Sequence, residues 1–249
     1  MSQTLEIPIK PTNIFATLQA DILRLQGFKA AKNRVNDAGI GPFMQAFPNS
    51  TFPTNAVHEF VSNQAEDAAA TASFLSCLMS LSGMMQSGTA LWISANRKIF
   101  PPALSSFGLV PDRFLFLHVP KERDMLWAME EALKCSGLTS VIGEIRFLSF
   151  TASRRLQLAV EQSNVTGFIL REGINQLNTT ACVSRWRITS HPSQSMDDMP
   201  GIGFPAWRVE LMKVRNGKPG VWGMKWVNKR FEPVYKFSSV SLEHYQKTG

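Results

Sequence analysis

Val57-His58-Glu59-Phe60-Val61, then Ser62-Asn63-Gln64-Ala65-Glu66-Asp67, then Ala68-Ala69-Ala70-Thr71, is the stretch that decides how this chain is read. An apolar strand, a polar loop over Ser62–Asp67 and a small-residue helix over Ala68–Leu81 follow one another. That is the β–loop–α order that opens many nucleotide-binding domains. A loop that cradles phosphate needs glycines, so that backbone N–H groups can close on the anion, and a lysine for the β- and γ-oxygens. This loop has neither, and it ends on Glu66 and Asp67, which repel a triphosphate. The sequence therefore predicts the shape of a nucleotide site without its chemistry.

Working outward, the rhythm is strand, helix, strand. Ala90-Leu91-Trp92-Ile93-Ser94 is a continuous apolar run of the kind buried inside a parallel sheet. A helical turn is expected around Pro101–Phe107, then a strand over Arg113–His118. A helix follows over Glu122–Cys135, with Met125, Leu126, Met129, Ala132 and Leu133 on its apolar face, a Glu130–Lys134 pair, and Gly137 as its stop. Ser140–Ile145 reads as a buried strand, Ala152–Gln162 as a helix opened by Ser149 or Thr151, and Thr166–Leu170 as the next strand. This alternation predicts a parallel α/β sheet. After about residue 178 the pattern changes to Ala181–Ile188, Trp207–Arg215 and Val221–Val227, the last two joined through Asn216-Gly217, a hairpin signal. An antiparallel β extension is expected there, with Ser190–Phe204 as a mobile loop. Upstream, Ile14, Leu18, Ile22 and Leu25 repeat at helical spacing, and the Gly- and Pro-rich residues 28–56 read as a loop-rich connector. The division expected is residues 1–50 as N-terminal helix and connector, and 51–249 as core with C-terminal antiparallel strands.

Charge is distributed unevenly. Residues 1–145 carry 11 Lys+Arg and 12 Asp+Glu, a net of −1, whereas residues 146–249 carry 15 and 7, a net of +8. An excess of this kind marks either a surface for nucleic acid or an acidic partner, or an ordinary solvated basic face. Three cysteines without a CxxC pair, Cys77, Cys135 and Cys182, argue for reduced thiols, and four scattered histidines give no metal-ligand spacing. The start of the chain has Glu6 and Pro8 and no apolar core of a signal peptide. The uncharged run Ala68–Asn96 is broken at Gln86-Ser87-Gly88, so a buried helix and strand are expected and no membrane span. A cytoplasmic protein is the expectation.

The order of elements resembles the RecA-like core. More narrowly, Pro111-Asp112-Arg113, Leu126-Trp127-Ala128-Met129-Glu130-Glu131-Ala132-Leu133, Thr151-Ala152-Ser153-Arg154-Arg155-Leu156-Gln157-Leu158-Ala159, Trp207-Arg208-Val209-Glu210-Leu211 and Arg215-Asn216-Gly217-Lys218-Pro219-Gly220 resemble the ImuA-type family. That family comprises RecA/SulA-related accessory factors of the damage-inducible translesion mutasome. The resemblance spans roughly residues 14–232. It implies a RecA-like, mostly parallel sheet flanked by helices. It also locates what is lost. Asp67-Ala68-Ala69 stands where a RecA ATPase has glycine-lysine-threonine, and Asn96 stands where a glutamate activates water. An amide is no general base. The acidic position associated with magnesium survives only as Glu144. No ATP hydrolysis, no catalytic residue, no cofactor and no metal are expected.

Function then falls to surfaces. Arg154 and Arg155, early in a helix whose Leu156, Leu158, Ala159 and Val160 point inward, face phosphate or an acidic partner, or are plain surface charge. Arg171, Arg185, Arg187, Lys213, Arg215 and Lys218 interleave with Trp186, Trp207, Trp222 and Trp226. Such mixtures suit single-stranded nucleic acid, although tryptophans on one face of a strand more often form core. In RecA relatives the loops after the strands matching Ile142–Glu144 and Phe168–Arg171 face DNA. Ile14, Leu18, Ile22 and Leu25 match the segment with which RecA-like proteins dock on a neighbour; they anchor a partner or cover their own domain. The resemblance implies a non-enzymatic adaptor in the SOS response. Its partners would be an inactive Y-family polymerase homologue, with RecA, a replicative-type error-prone polymerase and DNA as further candidates. Two other readings stay open: a SulA-like cell-division inhibitor, and a residual ATPase or stand-alone DNA-binding protein.

Overall fold

A computed structural model describes residues 17, 18, 21, 22, 41–85, 88–193 and 203–234. Nine strands form one sheet in the order β3-β2-β4-β5-β1-β6-β7-β8-β9. They are β1 Val57–Ser62, β2 Ala90–Ser94, β3 Phe114–His118, β4 Ser140–Glu144, β5 Thr166–Glu172, β6 Ser184–His191, β7 Ala206–Val214, β8 Gly220–Val227 and β9 Arg230–Pro233. Every pairing from β3 through to β6 is parallel, and β6 to β9 are joined antiparallel. This is the expected mostly parallel sheet with an antiparallel C-terminal extension. The inner parallel strands β4, β5 and β1 are mostly buried because both faces are covered, whereas the edge strand β3 leaves Leu115, Phe116, Leu117 and His118 exposed.

Helix α1, Ala65–Leu81, lies on one face; α2, Glu122–Leu133, and α3, Phe150–Ser163, lie on the other. Strand periodicity sorts the side chains. Phe60, Trp92, Ile142, Phe168 and Trp186 point to the α1 side, while Val57, Ile93, Val141 and Ile169 meet Met125, Leu133, Leu156 and Val160 of α2 and α3. Ser149 caps α3, its hydroxyl accepting from the Ala152 N–H at 3.1 Å. Lys134 reaches Glu130 at 3.4 Å, the expected i,i+4 pair. Gly137 does not end α2; the helix stops at Leu133 with Lys134 as its cap.

Three further differences follow from packing. Residues 42–53 connect, but they also plug the core: Phe43 is fully buried and meets Phe74, Trp186 and Phe231 edge-on or tilted at 5.4–5.8 Å. The hairpin between β7 and β8 is held down on this plug. Asn216 takes a positive φ of 58°, the Lys218 N–H donates to the Ala46 carbonyl at 2.9 Å, and a Cβ on Gly217 would lie 2.2 Å from that carbonyl oxygen. Strand β9, which the sequence does not announce, turns back through Asn228 and Lys229, both at positive φ. On α3, Leu158 is exposed rather than inward, because helical periodicity places it on the outward face with Arg154, Arg155, Glu161 and Gln162 when Leu156, Gln157, Ala159 and Val160 pack. Most of the loop expected over 190–204 lies outside the described residues. Among the described residues no helix is long and apolar enough to cross a membrane.

Candidate functional site

The parallel strands end on one side, and there the chain leaves a cleft of about 860 Å³. Open α/β sheets bind ligands at this end of their strands. The connection that matters most is β1 to α1. It is only Asn63 and Gln64, since α1 begins at Ala65 rather than at Ala68. Gln64 occupies the N-cap without a side-chain cap bond, so no capping signal announced the earlier start. Glu66 and Asp67 therefore stand in the first helical turn. They complement the positive end of the helix dipole and fill with negative charge the place where an anion would otherwise be attracted. Along the cleft wall α1 presents Ala65, Ala68, Ala69 and Ala72.

Opposite stands Glu144, the last residue of β4, with Asn96 beyond the end of β2. Glu144 accepts a hydrogen bond from the Trp92 indole at 2.9 Å. Burial raises its pKa, with Glu172 adding to the rise; the Trp92 bond and nearby Lys98 act the other way. Lys98 and Glu172 pair at 2.6 Å, joining the segment after β2 to the end of β5. Phe100 stands at the rim, 69% exposed.

Beneath the cleft lies a buried charge centre that sequence reading missed. Glu59, fully buried on β1, accepts from Arg171 Nη1, from Arg185 Nε at 2.8 Å and from the Thr180 hydroxyl at 2.7 Å. Arg171 also donates to the Arg146 carbonyl at 3.0 Å and to Asn178 Oδ1 at 3.1 Å, while the Asn178 amide reaches the Leu148 carbonyl at 2.8 Å. One carboxylate and two guanidinium groups thus lock the segments after β4 and β5 together. The signal was present: an acid inside the apolar run Val57–Val61 demands buried cationic partners.

This centre corrects the expected basic surface. Arg171 and Arg185 are 4% and 9% exposed and spent on Glu59, so they do not face a ligand. Lys213 donates to the Thr180 carbonyl at 2.7 Å, with its pKa lowered by burial, and Arg215 donates to the Ala181 carbonyl at 3.0 Å. Arg187 is partly buried, 3.8 Å from Glu210. Trp186, Trp207 and Trp226 are core, as tryptophans on one strand face usually are. Lys218 is exposed on the β7–β8 hairpin. Arg154 is exposed on α3, and Arg155 bridges to Glu130 of α2. The structure therefore does not gather the candidate basic residues into one patch. Leu18 and Ile22 are helical and each 52% exposed; Ile14 and Leu25 lie outside the described residues.

No family model matches the chain. Protein ImuA of Caulobacter vibrioides is 33% identical over 187 residues, covering 71% of this chain and 77% of that protein. The cell division inhibitor SulA of Photorhabdus laumondii is 32% identical over 95 residues, 38% of this chain and 54% of that protein. Among solved structures, the RadB recombinase superposes with a TM-score of 0.51 at 12% identity, covering 73% of this chain and 91% of that one. At that identity the likeness establishes the RecA/RadB type of fold and nothing more.

Proposed function

The chain belongs to the ImuA family, and from that premise we propose that it is a non-enzymatic adaptor in damage-induced, error-prone translesion DNA synthesis. The observation that carries the reading is the β1–α1 junction: two residues long, without glycine or lysine, and followed by two acids in the first helical turn. With Asn96 where a general base is required, the cleft supports neither phosphate binding nor activation of water. A RecA-shaped body then acts by holding partners rather than by turnover. The partners proposed are an inactive Y-family polymerase homologue and, through it or directly, RecA or a replicative-type error-prone polymerase. Leu18 and Ile22, apolar and exposed, belong to the segment proposed to dock on a partner. Arg154 and Lys218 remain as exposed cations for an acidic partner or DNA.

Affinity capture of the tagged protein from cells given a DNA-damaging agent tests this. Recovery of a polymerase homologue is expected, and its loss on deletion of residues 1–27 is expected with it. Recovery of a division protein instead supports a second reading, a division inhibitor, which the 95-residue similarity to SulA favours. Filamentous cells on overexpression would accompany that outcome.

A further inference from the structure

The cleft at the carboxyl ends of the parallel strands is built for something, although its junction with α1 repels phosphate. Four of its features bear on what fits. The wall along α1 carries the methyl groups of Ala65, Ala68, Ala69 and Ala72 beside the small hydroxyl residues Thr71, Ser73 and Ser76, which leaves room for a bulky group. The rim carries the exposed ring of Phe100, an apolar surface left in water. Thr71, 2% exposed and also lining the cleft, has its hydroxyl oxygen buried without a hydrogen-bond partner. Buried hydroxyls left in that condition are rare and call for a missing partner. Finally, the charged lining residues, Lys98, Arg146 and Arg171 against Glu122, Glu144 and Glu172, are unequally committed. Lys98 pairs with Glu172 and Arg171 with Glu59, and Glu122 accepts from the Phe147 N–H, whereas among the described residues Glu144 has no ion pair and only the Trp92 indole as donor. Arg146, the remaining cation of the lining, stands over the exposed Phe147 ring, 5.3 Å from its centroid.

We propose that this cleft receives a basic side chain, arginine above all, carried on an apolar segment of a partner protein. The cation pairs with Glu144, and the apolar residues beside it lie on the alanine wall and Phe100. A guanidinium suits the place better than an ammonium. It has five donors, is weakly hydrated and can serve a carboxylate and a second acceptor such as a hydroxyl at once. Charge complementarity selects the occupant: of the charged lining residues that stand outside an ion pair, Glu122 and Glu144 are acids and Arg146 is the one cation, so the uncommitted charge favours a cationic ligand over an anionic one. A cleft inherited from nucleotide binding would thus have changed the sign of its ligand. This stands whether or not the polymerase adaptor reading holds, because it concerns the chemistry of the occupant and not its identity.

The test uses the full chain and defined probes. Capped Leu-Leu-Arg-Leu and Leu-Leu-Glu-Leu peptides, and Mg-ATP, are titrated by calorimetry, with the Trp92 indole resonance as a local reporter. The arginine peptide is expected to bind and to shift Trp92, and the glutamate peptide and Mg-ATP are expected not to. Glu144→Gln should weaken the arginine peptide roughly tenfold or more, because it removes one member of a desolvated charge pair. Ala69→Phe, at an exposed helix position that leaves folding intact, should block the same peptide by filling the wall. Equal binding of the two peptides, binding of neither, binding of Mg-ATP at Trp92, or an arginine peptide indifferent to both substitutions would overturn the proposal.

Discussion

The interior of the sheet around β1 and the cleft at its strand ends use charge in opposite ways. The C-terminal part holds the whole positive excess, +8 over residues 146–249, yet much of it is internal. Arg171 and Arg185 neutralise Glu59, Lys213 and Arg215 tie down carbonyls of residues 180 and 181, and Arg208 pairs with Glu210 at 2.9 Å. The cleft is lined from both parts, by Asn96 and Glu144 of residues 1–145 and by Arg146 and Glu172 of the C-terminal part, and among the described residues its Glu144 stands outside any ion pair. Charge count therefore points to the C-terminal part and accessible chemistry to the cleft. Around Glu59 cations are construction material; in the cleft an anion is left available.

The sharpest way to break this contrast is to remove the acid that the buried cations Arg171 and Arg185 serve. Glu59→Ala leaves two buried guanidinium groups uncompensated and is expected to cost about 3–5 kcal/mol of stability, read from denaturant unfolding. An unchanged midpoint would mean that Arg171 and Arg185 are free to face solvent, as the basic-surface expectation had it.

His58, on the opposite face of β1, gives the next largest effect. It is fully buried between Ser184 Oγ at 2.7 Å and the Pro53 carbonyl at 2.8 Å, and burial lowers its pKa from 6.5 to about 4. A depressed pKa means that below pH 6.5 the unfolded chain takes up a proton that the folded chain refuses. The associated stability is full above pH 6.5 and is lost as the pH falls to about 4, a total on the order of 3 kcal/mol. Unfolding free energies measured from pH 7 to 4 should show this slope, and His58→Gln should flatten it.

Ser149→Ala removes the cap of α3 and should cost about 1 kcal/mol in thermal or chemical unfolding. Smallest of all, Arg155→Ala breaks a pair whose arginine is exposed, leaves Glu130 its second partner Lys134, and should shift stability by less than about 1 kcal/mol. A larger loss there would move Arg155 into the same structural class as Arg171.

Much of the fold was legible because most of the parallel strands are short, predominantly apolar runs and the helices Glu122–Leu133 and Phe150–Ser163 between them are amphipathic. Ala90–Ser94 and the Glu130–Lys134 pair were readable residue by residue, and the Asn216-Gly217 turn located the hairpin. What escaped depends on contacts distant in sequence. Phe43 looks like a loop residue until Trp186, 143 positions away, closes on it at 5.8 Å. Arg171 and Arg185 look like surface cations until β1 brings Glu59 between them. Ala65 opens α1 without a cap, so the boundary fell three residues late. The cleft was half legible: its missing glycines and lysine, Asn96 and Glu144 all stand in the sequence. The alanine wall, the Lys98–Glu172 clasp and the unpartnered Thr71 hydroxyl emerge only when the strand ends converge.

The adaptor reading is tested most directly by damage-induced mutation frequency in cells lacking this chain. Deletion is expected to drop induced mutagenesis to the uninduced level, with restoration by the intact chain. Undiminished induced mutagenesis in the deletion strain would contradict a role in error-prone synthesis.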